Sequence, residues 1–214
     1  MNQKYRTLIT YNLDKLENIE LDHTTDMPII HKEKVIPKDL TGFNYANKYK
    51  NKCVGIHFYL DDYQFERVWN HPENYINMFK QYECILTPDF SLYRDMPIPM
   101  QIWNTYRNRF LGQYYQKQGI KVIPTISWGN EKTYSFCFTG IEKNSIVSLS
   151  TLGVKKDKKA LALWKKGVDE MIKQIHPSKI LIYGSKIEYD FKNIEVIYYK
   201  NKIEERFNNL KEKI

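Results

Sequence analysis

CILTPDFSLYRDMPIPMQIWNTYRNRFLGQYYQKQGIKVIPTISW, residues 84–128, is the stretch whose reading decides the fold. It opens with CILT (84–87), a short apolar run without alternation, the pattern of a strand covered on both faces. Pro88 stops the run, and Asp89 and Ser91 follow at its carboxyl end. Asp95 is placed to cap a helix, with Pro97 and Pro99 in the first turn, where a missing N–H costs little. Trp103, Tyr106, Phe110 and Tyr114 recur at spacings of three and four and make one apolar stripe. Gly119 suits the left-handed position that closes a helix. Residues 120–126 are again apolar and β-branched, and they end in Ser127 and Trp128. A strand, a helix and a strand of these lengths predict a parallel crossover. In parallel sheets, ligands collect at the carboxyl ends of the strands.

The same rhythm extends in both directions. CVGIHFYL (53–60) is a strand ending in Asp61 and Asp62, followed by a helix over 64–82 that breaks near His71 and Pro72. SIVSLS (145–150) is a strand ending in Thr151, Leu152 and Gly153. Asp157 opens a helix whose Leu161, Trp164, Val168, Met171 and Ile175 form the clearest stripe in the chain. KILIY (179–183) ends in Gly184 and Ser185, and IEVIY (194–198) is a sixth strand before a charged helix over 201–214. Residues 130–144 read two ways: TYSFCF could be a strand, but a short crossover helix keeps the alternation better. Residues 1–52 read as an irregular N-terminal lead-in, with a strand or short helix at 13–21 and one or two helical turns within 39–48. The expectation is one α/β domain over 1–214, with about six mostly parallel strands alternating with helices. Its sheet is either open or an incomplete TIM-like barrel, since a full eight-fold barrel takes about 250 residues.

Composition bounds the function. With 42% hydrophobic and 27% charged residues in 214, the chain is globular and long enough for a real core. No run of about 18 apolar residues exists, and the first residues lack a signal-peptide core, so a cytoplasmic protein without a membrane partner is expected. Cys53, Cys84 and Cys137 are odd in number and lie in apolar segments without CxxC or Cys–His spacing; buried free thiols are expected, with no metal centre. The net charge of +8 favours polyanionic partners, although lysine, asparagine, isoleucine and tyrosine share AT-rich codons, which accounts for part of the lysine excess.

The residues that can carry chemistry stand at strand ends. Asp61, Asp62 and Asp89 would converge on one rim if their strands are neighbours, as acid and base or around a cation; capping and turn formation compete for the same residue type. No His or Glu at another strand end completes a metal set. Ser91 lies on the same rim but lacks the context of a hydrolase nucleophile. Asn104 and Arg107, three apart, share a face of the long helix with Arg109 nearby; they could grip a phosphate or carboxylate, or pair internally. Thr151, Gly153, Lys155 and Lys156 precede Asp157, and backbone amides at a helix start beside lysines can hold a phosphate. The spacing is not that of a P-loop. Gly184 and Ser185, before Lys186, are a weaker second case, and Trp128 could stack on a base or close the core.

Four segments together resemble a known family: PDFSLYRDMP (88–97), NTYRNRFLGQYYQKQGIKVIPTISW (104–128), CFTGI (137–141) and STLG (150–153). They are similar, over about 28–185, to a bacterial and phage family catalogued as a domain of unknown function. The resemblance implies a phage or mobile-element context and supplies no activity, so it assigns no residue a role. The leading expectation is a protein that binds nucleic acid or nucleotide phosphates, with catalysis left open. The rivals are a non-catalytic phage accessory protein that binds a host protein, and a small-molecule enzyme that uses its strand-end carboxylates. The sequence points to no cofactor.

Overall fold

The computed structural model describes residues 7–155 and 157–201. Among the described residues, seven parallel strands appear in chain order. β1 (Leu40–Gly42), β2 (Gly55–His57), β3 (Cys84–Leu86) and β4 (Val122–Ile123) form one sheet, and β5 (Ile146–Ser150), β6 (Lys179–Tyr183) and β7 (Glu195–Tyr199) form a second. Within each sheet every strand pairs with the next in sequence. The sheets meet at one bridge, Thr125 to Ser148, and do not close into a barrel. The helices are α1 (Thr7–Thr10), α2 (Phe43–Ala46), α3 (Glu66–Asn70), α4 (Ile76–Phe79), α5 (Ile98–Lys117) and α6 (Lys158–Ile175).

Pro124 explains why the sheet divides where it does. The expected strand over 121–127 pairs with β3 only at 122–123, because proline offers no N–H to continue a ladder. Beyond it the chain turns to β5: Ser148 N donates to Pro124 O at 2.8 Å and Ile126 N to Ser148 O at 2.9 Å. The expected single sheet is therefore two sheets sharing one bridged edge. The inner faces of both still meet in a shared layer that includes Leu40, Leu86, Ile123, Ile146, Leu181 and Tyr183. Tyr199 at the end of β7 donates its hydroxyl to Pro37 O at 2.6 Å, just ahead of β1.

Several expectations need correction. The lead-in offers a strand only at 13–21, yet β1 lies inside the span expected to hold helical turns, with the helical turn α2 directly after it. Three strand residues running straight into a helix leave no periodicity to read. Residues 13–21 contain one 3-10 turn, Leu13–Lys15. The helix over 64–82 is three short pieces besides its first turn, broken at His71 as expected. Residues 130–144 hold a 3-10 turn, Glu131–Thr133, further turns and one bridge from Ile141 to Ile30, rather than the favoured crossover helix or a strand. Asp95 does not cap α5, whose N-cap is Pro97, whereas Gly119 does take a positive φ of 79° past its end. Cys84 and Cys137 are buried free thiols, but Cys53 is exposed. The expected helix over 201–214 lies, apart from Asn201, outside the described residues. No helix among them is long and apolar enough to cross a membrane.

α5 departs most from an ordinary amphipathic helix. Its aromatic stripe is present as a stacked ladder, Trp103–Tyr106–Phe110–Tyr114, with successive ring centroids 5.6, 6.0 and 6.2 Å apart. Its deeply buried residues include Gln101, Asn104, Thr105, Arg107, Asn108, Arg109 and Gln113. These side chains meet loop carbonyls. Asn104 Nδ2 donates to Ser91 O at 2.7 Å, Asn108 Nδ2 to Pro88 O at 2.8 Å, and Gln113 Nε2 to Ile29 O at 2.6 Å and Glu20 O at 2.7 Å. Buried main-chain groups outside a ladder must find partners, and here one helix supplies them.

Candidate functional site

A cleft of about 720 Å3 opens at the carboxyl ends of β2, β3, β4 and β5, against the first turns of α6. This is where a parallel sheet places a ligand, and the volume is ordinary for a small-molecule site. Leu92, Ile126, Trp128, Leu152, Val154 and Trp164 give it apolar walls; Tyr59, Asp61, Asp89, Ser91, Arg94, Ser127 and Ser150 add polar groups.

Asp89 lies where β3 runs out. Pro88 ends the strand, and Asn108 holds the Pro88 carbonyl, so the loop leaves at a fixed angle. The carboxylate accepts a 3.0 Å hydrogen bond from Ser127 Oγ, at the end of β4. Burial pushes the Asp89 carboxyl up to about 7; the Ser127 hydroxyl opposes the shift and the charge of Asp62 adds to it. Tyr59, beyond β2, shares a 2.6 Å hydrogen bond with Ser148 Oγ on β5. Burial first, and then the Asp89 charge, hold the Tyr59 phenol well above its ordinary value, so it stays a neutral hydroxyl.

The expected carboxylates separate into different roles. Asp61 is exposed and lines the cleft with Asp89. Asp62 instead ties two loops together, accepting from Ser91 N at 3.1 Å and from Ser91 Oγ at 2.9 Å. Among the described residues no group of three or more His, Cys, Asp or Glu side chains is arranged to hold a metal ion.

Asn104 and Arg107 are brought together but lie behind the cleft wall. Arg107 donates to Glu66 at 2.6 Å and to Asn104 Oδ1 at 2.7 Å, and its guanidinium stands 3.8 Å from the Phe90 ring centroid. Burial lowers its pKa, while Glu66 and Asp62 raise it. The pair thereby fixes the 88–92 loop from below. Arg109 is 2% exposed and faces Thr139 O, Cys137 O and Asn108 Oδ1.

Beyond β5, Gly153 lines the cleft with a positive φ of 73°, and Lys155 is exposed beside it. Lys156 lies outside the described residues. Asp157 caps α6, its Oδ1 accepting from Lys159 N at 2.7 Å and Ala160 N at 3.2 Å. The helix start read as a phosphate cradle therefore already holds a carboxylate. Gly184 and Ser185 do adjoin this loop, since β5 and β6 are neighbours, but Thr151 Oγ1 spends its proton on Ser185 O at 2.8 Å. That contact is a buried tie between loops rather than an open cradle.

Trp128 lines the cleft and packs into the core beside α6. Its Nε1 donates to Leu163 O at 3.3 Å, and the indole lies flush on Gly167, in the middle of α6. A Cβ at position 167 would fall inside the indole. In an ordinary helix interior, Gly→Ala gains about 1 kcal/mol. Here Gly167→Ala should instead cost about 1–3 kcal/mol through overpacking. In a Trp128→Ala background the sign should reverse, which chemical denaturation of the double-mutant cycle will read. A stabilising Gly167→Ala in the presence of Trp128 would show that the ring is not held there.

Sequence reading missed Tyr59, Arg94, Ser127, Ser150 and Trp164 as cleft residues. Position after a strand was the available signal for Tyr59, Ser127 and Ser150; Trp164 was legible only as core.

The family described as "Domain of unknown function (DUF4417)" matches residues 19–200. The chain belongs to this DUF4417 family. The match is somewhat longer than the resemblance over about 28–185 and includes every strand of both sheets. DUF4417 relatives include the Gene 1 protein of Mycobacterium phage L5, 40% identical over 162 residues, which are 74% of this chain and 71% of that protein. The Gene 1 protein of Mycobacterium phage D29 is 38% identical over 162 residues, 74% of this chain and 60% of that one. The chain thus spans less than two thirds of the D29 protein's length. No solved structure matches.

Proposed function

We propose that the cleft is the working site of this DUF4417 chain, that it binds a nucleotide or the end of a nucleic-acid strand, and that Asp89 moves a proton there. Asp89 is the observation that carries this reading. It lines an aromatic-walled cleft at the strand ends, with its carboxyl pushed up to about 7. An acid poised near neutral pH can give and take a proton under working conditions. The nucleotide assignment is supported by the Trp128 wall, by Arg94 at the mouth and by the net charge of +8. Because Asp157 occupies the start of α6, phosphates would be held by side chains rather than by its amides.

The shifted carboxyl makes a stability prediction. The unfolded chain ionises Asp89 near a pH of about 3.9, whereas the folded chain holds the proton to about 7. Ionisation therefore disfavours the fold. The cost is absent below the lower value, grows between the two and is complete above the higher one. Asp89→Asn should melt like wild type near pH 4 and progressively higher than wild type towards pH 7, with a constant gap beyond. Thermal melts across this range check it, and parallel curves would remove Asp89 from the role. In turnover assays the same variant should retain ligand binding and lose the reaction.

A second reading, polyanion binding along the exposed Lys155, Lys158 and Lys159, has its own test. Affinity for DNA or RNA should fall steeply with salt, and neutralising Lys155, Lys156, Lys158 and Lys159 should flatten that slope. Absence of any affinity for nucleotides or nucleic acid at low salt would favour a host-protein partner instead.

A further inference from the structure

Arg94 is the single cation among the described residues that line the cleft. It stands at the mouth, half exposed, and its one ionic partner among the described residues is Asp157, at 3.5 Å from Nη2 to Oδ2. Asp157 is itself half exposed and is engaged mainly in capping α6 through its other oxygen. A long, solvated ion pair of this kind holds its partners weakly. A guanidinium prefers a phosphate that it can meet with two parallel hydrogen bonds. Trp128 lines the same cleft, as does Asp61, whose carboxylate can accept from sugar hydroxyls.

Resting on the nucleotide reading above, we infer that the cleft takes a nucleoside monophosphate rather than a polymer, with the base against Trp128 and the phosphate on Arg94 in place of Asp157. Asp157 then acts as an internal competitor. Its carboxylate occupies Arg94 until a stronger anion arrives, so only a ligand carrying both ring and phosphate gains from the whole cleft.

The experiment is a titration of the full chain, followed by tryptophan fluorescence and calorimetry. The probes are nucleosides, the matching nucleoside 5′-monophosphates and a short single-stranded oligonucleotide. At least one monophosphate should bind about tenfold more tightly than its nucleoside. Arg94→Gln should abolish that difference and leave nucleoside affinity unchanged. Asp157→Asn, which keeps a capping side chain, should strengthen monophosphate binding about two- to threefold by freeing Arg94. The inference is overturned if Arg94→Gln weakens nucleoside and monophosphate equally, or neither. It is also overturned if the oligonucleotide binds more tightly than any monophosphate and is indifferent to Arg94. If no probe binds the wild-type chain while thermal melts confirm that it is folded, the nucleotide reading itself falls.

Discussion

Arg109→Met should destabilise the protein by roughly 3–5 kcal/mol, because it strips donors from several buried acceptors at once, at about 1–3 kcal/mol each. The guanidinium donates from Nε to Thr139 O at 2.9 Å, from Nη2 to Cys137 O at 2.6 Å and from Nη1 to Asn108 Oδ1 at 2.5 Å. Among the described residues no carboxylate pairs with it, and burial brings its pKa down to about 10. It remains charged at neutral pH, held by carbonyl dipoles alone. Methionine fills much of the volume and supplies no donor, so the loss measures the hydrogen bonds rather than a void. Arg109→Lys should recover less than half of it, since an ammonium cannot reproduce the planar fork. Urea melts decide the matter, and a loss below about 1 kcal/mol would mean that water replaces the guanidinium.

Trp164→Ala should cost about 3–5 kcal/mol, the usual range for emptying a large aromatic site. Trp164 is 6% exposed, packs edge-on against Tyr189 and Phe191 and donates Nε1 to Ser150 O at 3.0 Å. It joins α6 to the end of β5 and forms part of the cleft wall. Trp164→Phe keeps most of the packing and removes the donor, and should cost about 1 kcal/mol. Equal losses for the two variants would show that the hydrogen bond, not the ring, holds α6 in place.

What was legible in the sequence followed the periodic signals. CVGIHFYL, CILT, SIVSLS and KILIY each contain a strand, and the Asp157 cap and the Leu161 to Ile175 stripe define α6. What escaped was short or depended on tertiary pairing. β1 is three residues long, and the division at Pro124 depends on which neighbour accepts the next hydrogen bond. The site was half legible for the same reason. A carboxylate after a strand reads as a rim residue, and Asp61 and Asp89 are rim residues; Asp62 carries the same signal and is a tie to Ser91. Asn104 and Arg107 read as a polar helix face that either grips a ligand or pairs internally, and the structure has the internal pairing. They are buried because the carbonyls of the 88–92 loop need donors, a demand that arises only once the loop is folded.

The bridge between the sheets runs beneath the cleft. One wall, from Tyr59 to Arg94, follows the strands of the four-stranded sheet, the other, from Ser150 to Trp164, belongs to the three-stranded sheet and α6, and Ile126 to Trp128 cross between them. Their backbones are joined there by two hydrogen bonds, Ser148 N to Pro124 O and Ile126 N to Ser148 O. Between β5 and β6, by contrast, the ladder runs for five residues. In mechanical terms the molecule is two stiff plates with a short weld, and the cleft is the gap above it. Widening the gap strains few main-chain bonds, so grip on a ligand falls mainly to side chains that reach across the seam: Tyr59 to Ser148, Trp128 to Leu163 and Arg94 to Asp157.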